Sequence, residues 1–585
     1  MKRGLYKRTL HGFLLFSLVF ATSCVDDTYD LSKDIDMTVT VGGNLVTPVI
    51  STELITLDDF MELDNESDVK TRDNGDYYFG LNGEESNSYI NVSKVFIDET
   101  SAKSNSSLMT FDRSLAINDE ITQDIENLHP DFQIKNNEVP SDVVDVKETI
   151  LEGSPLAINI HFPGSTNLKG IWLKSGFEIN FPDYYILSEE LGKDIYTLKD
   201  NTITLSKDLY IPASGKTIYI VCNGLNFEKA PEGEGFIKTD SHSYILFNTV
   251  LTTKGKAAVK ASDLPVGQEK ISFQISCDIS MDGMELTNVV AQVDPEIDIT
   301  VDPVKIENLP DFLSDDQIRL DIENPQVMLH INNFSPATVE INAKIKAYKN
   351  NQLTQEIGVG SMYNTAPIYA ANGINNICLS TKGYSNSSES NISNVKVDDL
   401  SKLLTIIPDR IEITQIETSV LPEYYSIRLG DTYQFNTNYD VDAPLTFGPN
   451  LNIVYTDSIS DLGSDLEDIE FKEIHALIDA TNNIPLQLGL DAKPYDKNGQ
   501  EITDVDVTIN GNIMAGSMAN GQNSHLEIII KSKTNSPIKG LDKILLQLTG
   551  TIPDNMGYQT LNKNQTIKFD NIRLKVIDGV TIDLN

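Results

Sequence analysis

Apolar and polar residues alternate along most of this chain. The runs TVTVGGNLVTPVI from Thr38 and SYINVSKVFI from Ser88 show the pattern plainly. A period of two puts one side of a segment in a core and the other in water, which predicts β-strands. Apolar spacing of three and four rarely persists past two turns, so long amphipathic helices are not expected. One short helix is predicted in TLDDFMEL, with Thr56 or Asp58 as its cap. Turn signals are dense: Asn74-Gly75, Asn82-Gly83, Asn223-Gly224, Asn372-Gly373, Asn498-Gly499, Asn510-Gly511 and Asn520-Gly521. Asn-Gly favours the positive φ of tight hairpins. Short strands with frequent turns imply an all-β chain of Ig-like sandwiches.

A weak internal repeat divides the chain. Asn332-Asn333-Phe334-Ser335-Pro336 leads into ATVEINAKIKAY, which closes on Tyr348. Asn482-Asn483-Ile484-Pro485 leads into LQLGLDAKPY, which closes on Tyr495 before the turn Asp496-Lys497-Asn498-Gly499. Ser154-Pro155 ahead of LAINIHF is a fainter third copy. A second phrase, a strand beside a proline, recurs in PEIDITVDPVKIENLP and IIPDRIEITQI. Repeated units of this kind imply tandem modules with separate cores. The 585 residues fit roughly three to five domains. The expected divisions are a signal over 1–23, a tether over 24–36, an N-terminal β domain over 37–147, and sandwiches over 148–294, 295–443 and 444–585. The turn-and-strand unit resembles the sandwich of the late-embryogenesis-abundant group-two (water-stress hypersensitive) domain, over the repeated unit only.

The first residues read differently. Lys2, Arg3, Lys7 and Arg8 precede an apolar run from Phe13 to Phe20, then Ala21-Thr22-Ser23 and Cys24. That is the order of a secretory signal, and the apolar run is far short of the roughly 20 residues that span a bilayer. Ending on a cysteine, it resembles a bacterial lipoprotein signal, although Ala21 stands where leucine is commonest. The resemblance implies acylation of Cys24, which then begins the mature chain; the alternative is an ordinary secretory signal with an incidental cysteine. VDDTYDLSKDID after it is polar and acidic, a tether with little to bury. Asp26-Asp27 resembles the export signal of Bacteroidetes surface lipoproteins, without the lysine often found there. The chain as a whole is similar to large uncharacterised Bacteroidetes outer-membrane lipoproteins with such tethers. That likeness implies a lipid-anchored protein of the outer membrane facing the exterior, and implies no activity.

Charge narrows the partners. There are 45 basic and 86 acidic residues, a net −41. Losing the four basic residues of the signal takes the mature chain to −45. Such a field repels phosphate backbones, so no nucleic-acid partner is expected. Cys222 and Cys277 lie in strand-like runs, either as a disulfide or as buried thiols, and Cys378 completes the set with Cys24.

No catalytic constellation and no cofactor motif stands out. The histidines show no metal spacing, and His161 and His330 read as sheet residues. GVGSM and AGSMANG only approximate a nucleophile elbow. Acids crowd the tether and the run from Asp461 through Asp465, Glu467 and Asp468 to Glu470, without the glycine-centred loop that calcium requires. Glycan stacking has three aromatic candidates, Trp172, Tyr184 and Tyr424. Tyr184-Tyr185 and Tyr424-Tyr425 are adjacent pairs, which on a strand face opposite sides. Asp457-Ser458-Ile459 matches an acidic-Ser/Thr-apolar glycosylation site, which places Ser458 on an expected surface loop. These readings converge on a non-enzymatic, lipid-anchored surface scaffold or adhesion protein. It would be held to the membrane by its lipid and would meet an outer-membrane protein, glycan or extracellular protein. The alternatives are a glycan-binding accessory lipoprotein of an outer-membrane importer, and a fimbrial subunit or anchor matured by cleavage after an arginine, here Arg72.

Overall fold

The structure, a computed structural model, describes residues 39–582 apart from 47–50, 62, 64–65, 99, 102–104, 126–127, 163–167, 308, 311–312, 314–316, 385–390, 461 and 463–468. Cys24, the tether and the acids from Asp461 to Asp468 lie outside the described residues. Among the described residues the chain is almost wholly β, with one short α-helix at Leu57–Met61 and a few 3-10 turns. Thr56 caps that helix reciprocally: its hydroxyl accepts from the Asp59 N–H, and Asp59 accepts from the Thr56 N–H at 2.8 Å.

Three sandwiches share one plan, in which a first strand lies between a middle and a last strand. In the first sandwich Val143–His161 lies between Lys216–Asn226 and Lys270–Met281. In the second, Gln326–Asn333 lies between Gly373–Ser380 and Thr432–Pro444. In the third, Glu473–Asn482 lies between Gln522–Ser532 and Thr566–Ile577. In the second and third sandwiches the chain then turns a corner into the facing sheet, through Val339–Lys349 or Gln487–Tyr495.

The two corners are built alike. Asn333 is fully buried; its amide N–H groups donate to the Ala337 and Ala370 carbonyls at 2.7 and 3.0 Å, and its oxygen accepts from the Ser335 N–H and hydroxyl. Asn482, equally buried, donates to the Leu486 and Met514 carbonyls at 3.0 and 2.9 Å and accepts from the Ile484 N–H. The repeated element is therefore Asn-x-x-Pro, with Asn333 equivalent to Asn482, rather than the Asn-Asn pair itself. Ser154-Pro155 makes no corner. It sits inside Val143–His161, where Pro155 pairs with Val221 just beyond a bulge at Ile150/Ser154. The expected cut at 147/148 falls within that same strand, whereas Pro295 follows Asn288–Val293 and Pro444 ends its own strand.

The strands of 39–112 add to the sandwiches that follow. Leu45–Val46 and Ile55–Thr56 pair with Thr566–Ile577. Tyr77–Asn82 and Ser86–Asn91 pair with Thr432–Pro444, and Asn105–Asp112 pairs with Lys270–Met281. All are antiparallel and all take the outer edge of a last strand, in the order third, second, first. An uncovered strand edge of this length is a template for aggregation, so the arm removes three liabilities at once.

Register fixes the layout. Thr432 lies toward the first sandwich, where Asn288–Val293 pairs with both Val143–His161 and Tyr425–Arg428. Pro444 lies toward the third, where Thr446–Phe447 pairs with Gln559–Thr560 and the Asn562 amide donates to Asp76 at 2.8 Å. The sandwiches therefore follow one another in line. Val39–Val41 enters at the far end of the third, against Val580–Ile582, and Asp112 reaches the far end of the first beside Lys270. One core cluster is continuous through all three, and a smaller one around Phe471, Val505 and Ile544 fills the outer end of the third.

Turn chemistry holds at Gly75, Gly373, Gly499 and Gly511, which all have positive φ. Asn223-Gly224 is not a turn. It lies within Lys216–Asn226, where a Cβ on Gly224 would meet the Thr149 carbonyl oxygen at 2.1 Å.

Asn333→Ala removes the buried hydrogen bonds to the Ala337 and Ala370 carbonyls and from the Ser335 N–H, and should destabilise the middle sandwich by about 3 kcal/mol in urea unfolding, against under about 0.5 kcal/mol for half-exposed Asn332→Ala. Equal effects would contradict the corner assignment. Deleting residues 39–56 bares the edge of Thr566–Ile577 and should produce aggregates in light scattering; a monodisperse monomer of unchanged melting temperature would show that the arm is dispensable there.

Candidate functional site

On an open sheet of the first sandwich, Thr122, Ala258, Trp172 and Tyr210 stand in one cross-strand row. Their strand neighbours Ile171, Leu173 and Ile211 are buried, so this row faces outward. Ala258 is nonetheless fully buried beneath its neighbours, and Trp172 is half-buried. The Trp172 and Tyr210 rings lie 4.9 Å apart at 54°. Tyr210 packs against Gly170, where a Cβ would come within 2.3 Å of the ring, and stays 39% exposed. Farther along this sheet Lys174 binds Asp208 at 2.5 Å and Glu120 at 3.1 Å. The Asp208 hydrogen bond raises the Lys174 pKa and lowers that of Asp208 in return. The result is a small aromatic patch beside charged hydrogen-bonding groups. It can stack one sugar ring; at that tilt it is not a flat platform.

Tyr184 cannot serve there. It is 1% exposed, its hydroxyl shares Thr249 with that of Tyr185 at 2.8 Å, and its ring packs on Tyr185 and Phe247. A turn closed by the Tyr185 N–H on the Pro182 carbonyl brings both rings into the core, so the opposite-faces expectation fails. Burial pushes the Tyr184 hydroxyl up to about 12. Tyr424 is a joint residue: its hydroxyl donates to Asp145 at 2.7 Å, which lifts its pKa to about 12, and Lys147 sits 4.2 Å over the ring. It ties the second sandwich to the first. Ser458 lies in the strand Ile453–Ile459, paired with Leu545, and not on a loop.

Cys222 and Cys277 are free, buried thiols, each pushed by burial to about 12; Cys378 is free and buried as well. They pair with Ser154 and Ile160 of one strand, six positions or about 20 Å apart, beyond the reach of a disulfide. Asp496 uses its carboxylate to accept from the Asn498 and Gln500 N–H groups, which makes the expected hairpin turn. Among the described residues no group of His, Cys, Asp and Glu is placed to hold a metal.

His330 bridges Asn376 and Asp440 across its sheet. The residue the sequence did not single out is His475. Its Nε2 meets Glu473 at 2.7 Å and its Nδ1 meets Glu527 at 2.8 Å, while Lys531 also binds Glu473. Glu473 and His475 are two apart on one strand face, which the sequence shows; Glu527 arrives from across the sheet, which it does not.

No family model matches the chain, and no curated protein matches it. Among solved structures, a protein from Parabacteroides distasonis provisionally described as secreted is similar at 18% identity, covering 50% of this chain and 89% of its own, with a TM-score of 0.33. A likeness at that level carries no argument about role.

Burial opposes charge on His475, but the two carboxylates outweigh it and raise its pKa above 6.5. Its contribution to stability is thus full below pH about 6.5 and lost as pH rises through the folded value. The stability gap between wild type and His475→Gln should narrow from pH 5 to pH 8. A gap that widens with pH would contradict the imidazolium assignment.

Proposed function

We propose that this chain is a non-enzymatic, lipid-anchored scaffold or adhesion protein of the outer-membrane exterior. The observation that carries the reading is the arm. Its first described strand, Val39–Val41, lies at one end of the molecule, and the arm runs to the other end while sealing each sandwich on the way. A rod fixed at one pole projects its other pole outward, which is what a surface scaffold requires. The lipoprotein-like signal and the surplus of acid on the mature chain accord with that location.

A glycan-binding role is the second reading, favoured by the half-exposed Trp172–Tyr210 pair. The fimbrial reading has less support. Arg72 sits in a hairpin closed by its own N–H on the Asp76 carbonyl, pairs with Asp442 at 2.5 Å and lies over Tyr78. A protease would have to open that hairpin before cutting after Arg72.

Cys24→Ser should release the protein from the outer-membrane fraction, and protease added to intact cells should degrade the wild type. Retention of the variant, or protection of the wild type until the outer membrane is opened, would contradict the reading. Trp172 is the sole tryptophan, so sugar-dependent quenching reports on that patch alone. If a glycan binds there, Tyr210→Ala should weaken it about fivefold; unchanged fluorescence across a glycan panel would remove the second reading.

A further inference from the structure

One outer face of the second sandwich is built from amides. Ser88, Phe435 and Asn333 point into the core, so their neighbours along Ser86–Asn91, Thr432–Pro444 and Gln326–Asn333 point out. Gln434 pairs with Tyr89 on one side, and on the other its carbonyl accepts from the Phe334 N–H. In the next row Asn436 stands between Asn87 and Asn332, and in the row after that Asn438 pairs with His330. His330 and Asp440, joined at 2.9 Å, close the border there. Register makes these side chains neighbours, and the three rows span about 14 Å along the strands and about 10 Å across them.

Two properties set this face apart. Its amides are unspent: among the described residues the side chains of Asn87, Asn332, Gln434 and Asn438 make no hydrogen bond, and the Asn436 oxygen has no partner. The first two rows also hold no charged residue, in a mature chain at −45; Glu85, to which Asn436 donates at 3.4 Å, stands at the rim. The facing sheet of the same sandwich instead carries Lys344 and Lys346 on Glu356, and the third sandwich carries His475 and Lys531 on Glu473. Tyr89, 52% exposed, and Phe334, 49% exposed, flank Gln434 with their rings in water.

That combination selects the ligand. A carboxamide both donates and accepts hydrogen bonds, as a sugar hydroxyl does, and a row without charge suits a neutral partner. Two exposed rings about 10 Å apart suit the apolar faces of successive sugars in one chain. An extended peptide would need an open strand edge or side-chain pockets, and the outer edge of Thr432–Pro444 is already taken by Ser86–Asn91. We propose that this face binds an uncharged polysaccharide. Tyr89 and Phe334 stack on its sugar rings, and the amides of Asn87, Asn332, Gln434 and Asn438 bond its hydroxyls. The site goes beyond the scaffold reading and lies on a different sandwich from the Trp172–Tyr210 pair, whose fluorescence is silent about it.

The chain beginning at Val25 keeps every described residue and serves for the test. In native gels cast with mannan, xyloglucan or starch, at least one of the three should slow the wild type, and polygalacturonate should not. Tyr89→Ala should weaken the retardation about fivefold, and Gln434→Ala combined with Asn438→Ala about tenfold, with melting temperatures unchanged because all three positions are exposed. Tyr210→Ala should leave it intact. A wild type that none of the neutral polymers slows overturns the proposal, as does retardation that the Tyr89 and amide variants keep in full. Retardation lost in Tyr210→Ala overturns it in favour of the first sandwich, and equal retardation by polygalacturonate overturns the choice of a neutral ligand. The assay does not use the lipid on Cys24, so failure here leaves the anchored-scaffold reading to its own fractionation test.

Discussion

Edge pairing by the first part of the chain is the constraint on which this architecture depends. A sandwich made only of its own strands would end in the open edges of Lys270–Met281, Thr432–Pro444 and Thr566–Ile577. Each of those edges is taken by an antiparallel segment from 39–112. The same segment is covalently continuous from one pole of the molecule to the other. It therefore fixes the order of the sandwiches and suppresses edge-to-edge aggregation in one stroke.

That arrangement has a kinetic consequence. The arm is synthesised first, yet its first partners come last: the Thr52 hydroxyl donates to the Phe569 carbonyl 517 residues on. Closing so long a loop makes the last pairings slow. An acidic, water-loving chain is well suited to remaining soluble in the meantime. The junctions then lock through short shared ladders, Asn288–Val293 with Tyr425–Arg428 and Thr446–Phe447 with Gln559–Thr560, rather than through flexible linkers.

Much of the local structure was legible in the sequence. Alternation at period two foretold the strands and Asp496 to Gly499 a hairpin, and of the two cap candidates, Thr56 and Asp58, the structure uses Thr56. The repeat was visible too, although only the structure shows that Asn333 answers to Asn482. What the sequence hid was long-range or depended on irregular backbone. Gly153, Ser154 and Pro155 look like a break, but a bulge with Gly153 at φ 75° absorbs them and the strand runs on. Tyr184 was misread because alternation does not apply within a turn. Tyr210, the partner of Trp172, gave no signal because the register that joins them is set by the whole sheet. No pattern along the chain pairs Leu45 with Val576.

Hydrogen exchange on the intact chain tests the arm most directly. If the arm is integral to the sandwiches, amides of Ser86–Asn91 and Asn105–Asp112 that face their partner strands should exchange as slowly as those of Thr432–Pro444 and Lys270–Met281, and lose protection together with them in denaturant. Arm amides exchanging within seconds while those last strands stay protected would contradict the account, and would make the three sandwiches independent of the segment that precedes them.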